Sequence, residues 1–245
     1  MDERWTQEAL AVAGRIQTGM VEIDAKLREP WWKPYLVDVP PGRVGKAEVR
    51  RFTVTEMGAF VHNLREANHG RRRGIPVGEF TELRVDGRLW MSDTPAELGD
   101  MDAFRVAVRP GSRVLLHGLG LGCTVLMAFR CGAVRVTVIE LDADVLALVG
   151  PHWKARYGDA LDLRLGDAHT WRPGRGERWN VVWHDIWPDI SGDHVPEMRR
   201  LRRRFARRAD WQGVWCEREM RREARRAARD EADYKRLVGI LGGRL

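Results

Sequence analysis

The run from Val114 to Gly122, Val-Leu-Leu-His-Gly-Leu-Gly-Leu-Gly, constrains this 245-residue chain more tightly than any other stretch. Its apolar first half reads as a buried strand, and it then breaks into glycines at 118, 120 and 122. Glycine takes backbone conformations closed to other residues and lets a ligand approach the main chain, so the spacing predicts a strand turning sharply into a helix. About 20 residues further on, the β-branched run from Val134 to Asp142 carries an acid at Glu140. A carboxylate at a strand tip accepts both hydroxyls of a ribose. The two features together predict a nucleoside site at the carboxyl ends of parallel strands.

The glycine spacing selects among nucleoside ligands. A dinucleotide fingerprint needs G-x-G-x-x-G/A, whereas the third place here holds Cys123 counted from Gly118, or Val125 counted from Gly120. Two later segments keep the order of an α/β sheet. Leu163 to Ala168 is a short alternating strand ending in Gly-Asp-Ala, and Trp179 to Asp189 is an apolar strand that delivers His184 and Asp185 to its tip. Gly118-x-Gly120-x-Gly122, Glu140, Asp167-Ala168 and Asp185, in this order, resemble the motifs of class I S-adenosylmethionine-dependent methyltransferases and their polyamine-synthase relatives. The resemblance implies S-adenosylmethionine as cofactor. Its amino-acid end would lie on the loop formed by His117, Gly118, Leu119, Gly120 and Gly122, its ribose on Glu140 beside Leu141, and its adenine against Asp167 and Ala168, with Asp185 closing the site.

The likeness to the polyamine-synthase branch extends upstream. Phe80 to Ser92 forms a hairpin signature, two alternating runs around Asp86-Gly87. Polyamine synthases carry such a hairpin, of the form L-x-L-D-G, ahead of the nucleoside-binding domain, followed by acids near the active site; Leu83, Val85, Asp86 and Gly87 match the hairpin, and Ser92, Asp93 and Glu97 follow it. Two residues depart from that branch. Leu121 stands where its members carry an acid in the glycine loop, and Asp185-Ile-Trp-Pro-Asp189 replaces their Asp-x-x-Asp-Pro. The marker of base methyltransferases, a polar residue before Pro-Pro-aromatic, is only echoed by Ile186-Trp187-Pro188.

The rest of the composition bounds the partners. No stretch approaches 18 apolar residues, and Met1 to Trp5 lacks the basic-then-apolar start of a secretory signal, which gives a cytoplasmic reading with no membrane partner. Cys123, Cys131 and Cys216 form no C-x-x-C pair and have no His at ligand spacing, so they read as buried thiols with neither disulfide nor metal site. The net charge of +7 is concentrated: residues 198 to 230 hold thirteen arginines against five acids, a surplus of eight. Such a block attracts phosphate backbones and makes nucleic acid a candidate partner. Arg199, Arg200, Arg203 and Arg207 beside Met198, Leu201 and Phe205 also fit the solvated face of a packed helix, and Glu217 to Ala232 fits a self-paired surface helix.

The expected fold is α/β, a Rossmann-like, doubly wound, mostly parallel sheet of order 3-2-1-4-5 without the sixth and seventh strands that most members of the resembled methyltransferase class add, with a small N-terminal α+β unit. The expected division is residues 1–100, an N-terminal helix from Glu3 to Leu27 with the hairpin as an accessory or lid unit, and residues 101–245, the cofactor domain with arginine-rich C-terminal helices. Residues 31 to 45 read as an irregular connection, Glu48 to Thr55 as a strand, Glu56 to Asn68 and Pro196 to Arg208 as helices, and Gln212 to Cys216 as the fifth strand. The truncated sheet edge makes a homodimer one way to cover unpaired backbone.

The expected activity is methyl transfer to an amine or hydroxyl of a small-molecule acceptor. Aminopropyl transfer from decarboxylated S-adenosylmethionine, nucleic-acid methylation and a non-catalytic cofactor-fold binding role are the alternatives. Asp185 is the first candidate for a base or orienting group, His184 the second, because its free pKa lies near neutrality, and Asp93 the third. Neighbours on a strand point to opposite faces, so only one of His184 and Asp185 is expected in the pocket, with Trp183, Trp187 and Asp189 as candidate acceptor-site residues.

Overall fold

A computed structural model of the chain describes residues 30–68 and 73–242, with side chains to 236. The N-terminal helix expected from Glu3 to Leu27 lies outside the described residues. The chain divides into two compact units, the first ending at Pro34 and the second beginning at Tyr35; both sheets belong to the second.

The first sheet is an antiparallel meander of β1 (Gly42–Val44), β2 (Ala47–Val54), β3 (Gly78–Val85) and β4 (Arg88–Ser92), in that spatial order. The β3–β4 turn is Asp86-Gly87, with φ of 51° and 73°. Both central residues of a two-residue I′ turn need positive φ, and Asp-Gly is among the sequences that accept it. Helix α1 (Glu56–Asn68) joins β2 to β3. The segment expected to be irregular contains β1, which the glycine turn at Gly45 (φ 52°) folds back onto β2.

Two short helices, α2 (Pro95–Asp100) and α3 (Asp102–Ala107), lead into the second sheet. It consists of β5 (Arg113–His117), β6 (Arg135–Glu140), β7 (Leu161–Leu165), β8 (Trp179–His184) and β9 (Ala209–Val214), arranged β7-β6-β5-β8-β9 with every pair parallel. Helices α4 (Cys123–Arg130), α5 (Ala143–Tyr157) and α6 (Val195–Phe205) connect its strands, and α7 (Glu217–Gly242) follows β9. Because strand order reverses at β5, the right-handed crossovers before and after it lie on opposite faces, and the switch point opens between the tips of β5 and β8.

Burial explains why these segments form. Val114, Leu115 and Leu116 on β5 are fully buried, as expected for a central strand covered on both sides. On α6, Val195, Met198, Leu201 and Phe205 form the apolar stripe that packs with Trp179, Val182 and Met220, leaving its arginines outward. The N-cap of α5 is Asp142, whose side chain accepts from Asp144 N and Val145 N. The fifth strand begins three residues earlier than expected. Ala209 pairs with Trp179, so the polar Asp210 and Gln212 are drawn into an edge strand by the length of β8. Cys216, expected at its end, instead sits in the turn before α7 with φ of 46°. Among the described residues no helix is long and apolar enough to cross a membrane.

Candidate functional site

A cavity of about 550 Å³ opens at the carboxyl tips of β5, β6, β7 and β8, within the size range of small-molecule sites. From the sequence-derived set it is lined by Gly118, Leu119, Gly120, Glu140, Leu141, Asp167, Ala168 and Asp185. The glycine loop owes its shape to close packing. Gly118 has φ of 99°, and a Cβ there would lie 2.2 Å from the backbone oxygen of Asp185; at Gly120 it would lie 2.2 Å from Met91 Sδ. Gly122 packs under the indole of Trp153, whose Nε1–H donates to Leu121 O at 2.9 Å. The loop therefore lies directly against the first residue after β8 and against β4.

Glu140 organises the next wall. Its carboxylate accepts from Leu119 N at 2.6 Å and Asp142 N at 2.8 Å, one bond to each oxygen, which leaves a lone pair on each oxygen for further donors. Asp167 accepts from His169 N at 2.7 Å. Lys46, in the β1–β2 turn, pairs with Asp142 at 2.9 Å and donates its backbone N–H to Asp144 at 3.0 Å, so the first sheet closes one rim.

Asp185 and His184 part company at the tip of β8. Asp185 is half-buried and faces the cavity, where burial, and after it the neighbouring carboxylates of Glu97, Asp100 and Glu140, push its carboxyl up to about 7. His184 is fully buried on the other side. Its Nδ1 lies 2.7 Å from His117 Nδ1, and its Nε2 lies 3.1 Å from Gln212 Oε1. With Gln212 accepting, His184 Nε2 carries its proton and His117 Nδ1–H donates to His184 Nδ1. His117 Nε2 is then an acceptor, buried and with no partner among the described residues. Burial lowers both imidazoles, His184 to about 4 and His117 well below its ordinary value, so the pair is neutral at pH 7. Neither ring reaches the cavity.

Asp93 is placed apart from it as well. Its carboxylate is buried and accepts from Thr81 N at 2.7 Å and Val37 N at 3.0 Å, tying β3 to the segment before β1. Replacing Asp93 by Ala strips two buried amides of their acceptor and is expected to lower unfolding free energy by about 3 kcal/mol in urea titration. A loss below about 1 kcal/mol would show that the carboxylate holds little together. Asp189 is exposed and bonds His194 at 2.7 Å, and Trp183 is core, stacked on Trp211. Trp187 does line the cavity, its indole N–H donating to Glu197 at 2.7 Å.

Several further lining residues come from outside the cofactor motifs. Glu97 arrives from α2, half-buried, with its carboxylate accepting from Ser92 N at 2.7 Å and Ser92 Oγ at 2.9 Å; burial raises its pKa. Trp90 and Met91 come from β4, Trp215 from just after β9, and Asp86 from the hairpin turn. Only the acid four residues past Asp93 and the Asp-Gly turn stood out in the sequence. In total seven carboxyls line the cavity, those of Asp86, Glu97, Glu140, Asp142, Asp144, Asp167 and Asp185, against Lys46 as the only lysine or arginine among the described lining residues. Among the described residues no three His, Cys, Asp or Glu side chains converge to hold a metal ion.

No protein-family model matches the chain, and no curated protein matches it. Matching solved structures include a methyltransferase from Streptomyces caelestis, 19% identical, covering 46% of this chain and 45% of that one with a TM-score of 0.36. An S-adenosylmethionine-dependent methyltransferase from Mesorhizobium loti is 18% identical, with 36% and 39% covered and a TM-score of 0.31. Coclaurine N-methyltransferase, bound to N-methylheliamine and S-adenosylhomocysteine, is 19% identical, with 39% and 28% covered and a TM-score of 0.33. The chain spans about half the length, or less, of each. These are partial superpositions, and the functional reading rests on the residues of the site itself.

Proposed function

We propose that the protein is an S-adenosylmethionine-dependent methyltransferase acting on an amine or hydroxyl. The charge of the cavity is the observation that carries this reading. Seven carboxyls against one lysine disfavour a ligand with a pyrophosphate and favour a nucleoside that bears positive charge. Glu140, with a free lone pair on each oxygen, suits a ribose, and Asp167 with the amide of Ala168 suits an adenine edge. The loop at Gly118 to Gly120 and the acids around it suit the amino-acid end.

S-adenosylmethionine would supply a methyl group already activated on a sulfonium. What remains for the chain is to align the acceptor, exclude water and take a proton, and alignment alone is worth roughly 7 to 11 kcal/mol in favourable systems. Asp185, lining the cavity, suits the role of taking the proton. A carboxyl whose pKa lies near 7 is half ionised at neutral pH and can accept from an ammonium or hydroxyl in the cavity. Trp90, Trp187 and Trp215 provide aromatic walls against which an acceptor is held. Leu121, fully buried, leaves the loop without the acid that the polyamine-synthase branch uses, which favours the full cofactor over its decarboxylated form.

Calorimetric titration with S-adenosylmethionine, S-adenosylhomocysteine, decarboxylated S-adenosylmethionine and NAD tests this directly. Binding of the first two, with NAD silent, is the expected result. Preference for the decarboxylated form would transfer the assignment to aminopropyl transfer, and binding of none would overturn the cofactor reading.

A further inference from the structure

The arginine block separates into two populations once it is folded. One population is spoken for: Arg202 on α6 bonds Glu217 at the start of α7 at 2.7 Å, Arg221 pairs with the same carboxylate, and Arg226 pairs with Asp230. Arg204 and Arg208 donate to backbone carbonyls of the 168–177 loop. The other population has no ion pair among the described residues. It comprises Arg199, Arg200 and Arg203 on α6 with Arg207 in the turn just after it, and Arg218, Arg222, Arg225 and Arg229 on α7, all exposed; Arg200 stands off the line of the other three on α6.

Their spacing makes them two rows. Steps of four along α6 into its closing turn, and of four, three and four on α7, keep each set within a narrow stripe of one helix face. A self-paired surface helix would interleave acids along that stripe. Here Glu219, Glu223 and Asp230 fall on another face of α7, where Glu223 accepts from Gly192 N at 2.8 Å, and Asp233 comes onto the stripe only past its last arginine, four residues beyond Arg229.

The two rows also share a side of the molecule. Arg202, past the middle of α6, meets the first residue of α7, whereas Glu223, further along α7, meets Gly192 just before α6, so the helices run antiparallel. On α6 the arginine row lies roughly 60 to 140° round from Arg202, away from the buried Met198 and Leu201. On α7 the row lies a similar turn from Glu217, away from the buried Met220. In an antiparallel pair those two turns lead to the same outward face.

We infer that this face binds the phosphate backbone of duplex DNA, the α7 arginine row following the phosphates of one strand and the α6 row extending the charged surface past the start of α7. The α7 row runs for about 16 Å, the rise of about five nucleotides along one strand. Rigid rows of this kind match a rigid duplex, and the guanidinium groups reach phosphate in bidentate fashion. The surface lies outside the cavity and does not depend on which cofactor the cavity takes.

The test is fluorescence anisotropy of a labelled mixed-sequence DNA duplex with the full chain across a salt series. Affinity is expected to fall roughly 10³-fold between about 50 and 200 mM salt. The quadruple variant Arg218→Gln, Arg222→Gln, Arg225→Gln, Arg229→Gln should lower the slope of log affinity against log salt by about 3 to 4, since each lost phosphate contact removes about 0.9. Gln keeps helix propensity close to that of Arg, and circular dichroism checks it. The triple variant Arg199→Gln, Arg203→Gln, Arg207→Gln repeats the test on the other row, while Arg226→Gln, which removes a guanidinium already paired with Asp230, should leave binding unchanged. No binding at low salt, an unchanged slope in both multiple variants, or an Arg226→Gln loss equal to theirs would overturn the inference. Tighter binding to a duplex RNA of the same sequence, whose grooves have different widths, would overturn the assignment to DNA.

Discussion

Replacing Asp185 by Asn is expected to stabilise the protein at pH 8 while cutting the proposed methyl transfer by a factor of roughly 10² to 10⁴, the usual contribution of a positioned base. Both effects come from one cause. The carboxyl is raised to about 7 in the folded chain, above its ordinary 3.8. Below the unfolded value both states are protonated and the shift has no effect on stability. As pH rises from there toward 7 the unfolded chain releases its proton first, so the folded state loses stability, and above 7 it holds a buried charge at full cost. A fully enclosed carboxyl with this shift would cost roughly 4 kcal/mol at pH 8; the open cavity admits water, and about 2 to 4 kcal/mol is expected. Asn is nearly isosteric and uncharged, so its advantage should appear in urea titrations at pH 8 and vanish below pH 4.

Turnover, followed as S-adenosylhomocysteine release with an acceptor that the wild type uses, should rise with pH through an inflection near 7 and lose that inflection in the variant. Cofactor affinity should stay within a few-fold. A variant as active as the wild type would remove Asp185 from the chemistry; an active-site role without the stability gain would mean that the carboxyl is better solvated than its surroundings indicate.

Gly118→Ala is expected to abolish binding of the proposed S-adenosylmethionine cofactor and to lower stability by about 3 to 5 kcal/mol. Two costs combine. The backbone there has φ of 99°, which carries a penalty of roughly 1 to 2 kcal/mol for a residue with Cβ, and the Cβ itself would stand 2.2 Å from the carbonyl oxygen of Asp185. That oxygen belongs to the main chain at the tip of β8, held by the Asp185 N–H bond to His117 O at 3.0 Å, so the clash can be relieved only by moving two strands apart. Gly111→Ala is the matched control: φ is 85° and nothing lies within 4 Å of the added Cβ. It should cost the conformational penalty alone and leave S-adenosylmethionine titration unchanged. Equal effects of the two substitutions would show that backbone strain, and not the approach of loop to strand, decides the site.

What was legible in the sequence was what depends on neighbours along the chain. Alternation and apolar runs placed the strands from Val114 and Val134, the Asp86-Gly87 turn fixed the hairpin, and the spacing of Met198, Leu201 and Phe205 gave the buried stripe of α6. Each is a local matter, because side-chain period and turn conformation are set within a few residues. The glycine loop and Glu140 were legible for the same reason, as a strand-to-helix turn and a strand-tip acid.

Only the tertiary structure decided which groups meet. Alternation required His184 and Asp185 to part, but the packing of Phe205 and Gln212 on one side determined that the histidine is the buried one. Glu97 and Asp93 sit four residues apart on one short segment, yet one enters the cavity and the other ties Val37 to Thr81, 56 and 12 residues away. The acidity of the cavity is likewise a sum over separate segments, the hairpin turn, α2, the tip of β6 and its α5 cap, the loop after β7 and the tip of β8. The same holds for the arginines: composition supplied a surplus of positive charge, while the antiparallel docking of α6 on α7 determined which guanidinium groups are paired and which are left facing solvent. Long-range pairing depends on how whole elements pack, and no local period in a sequence encodes it.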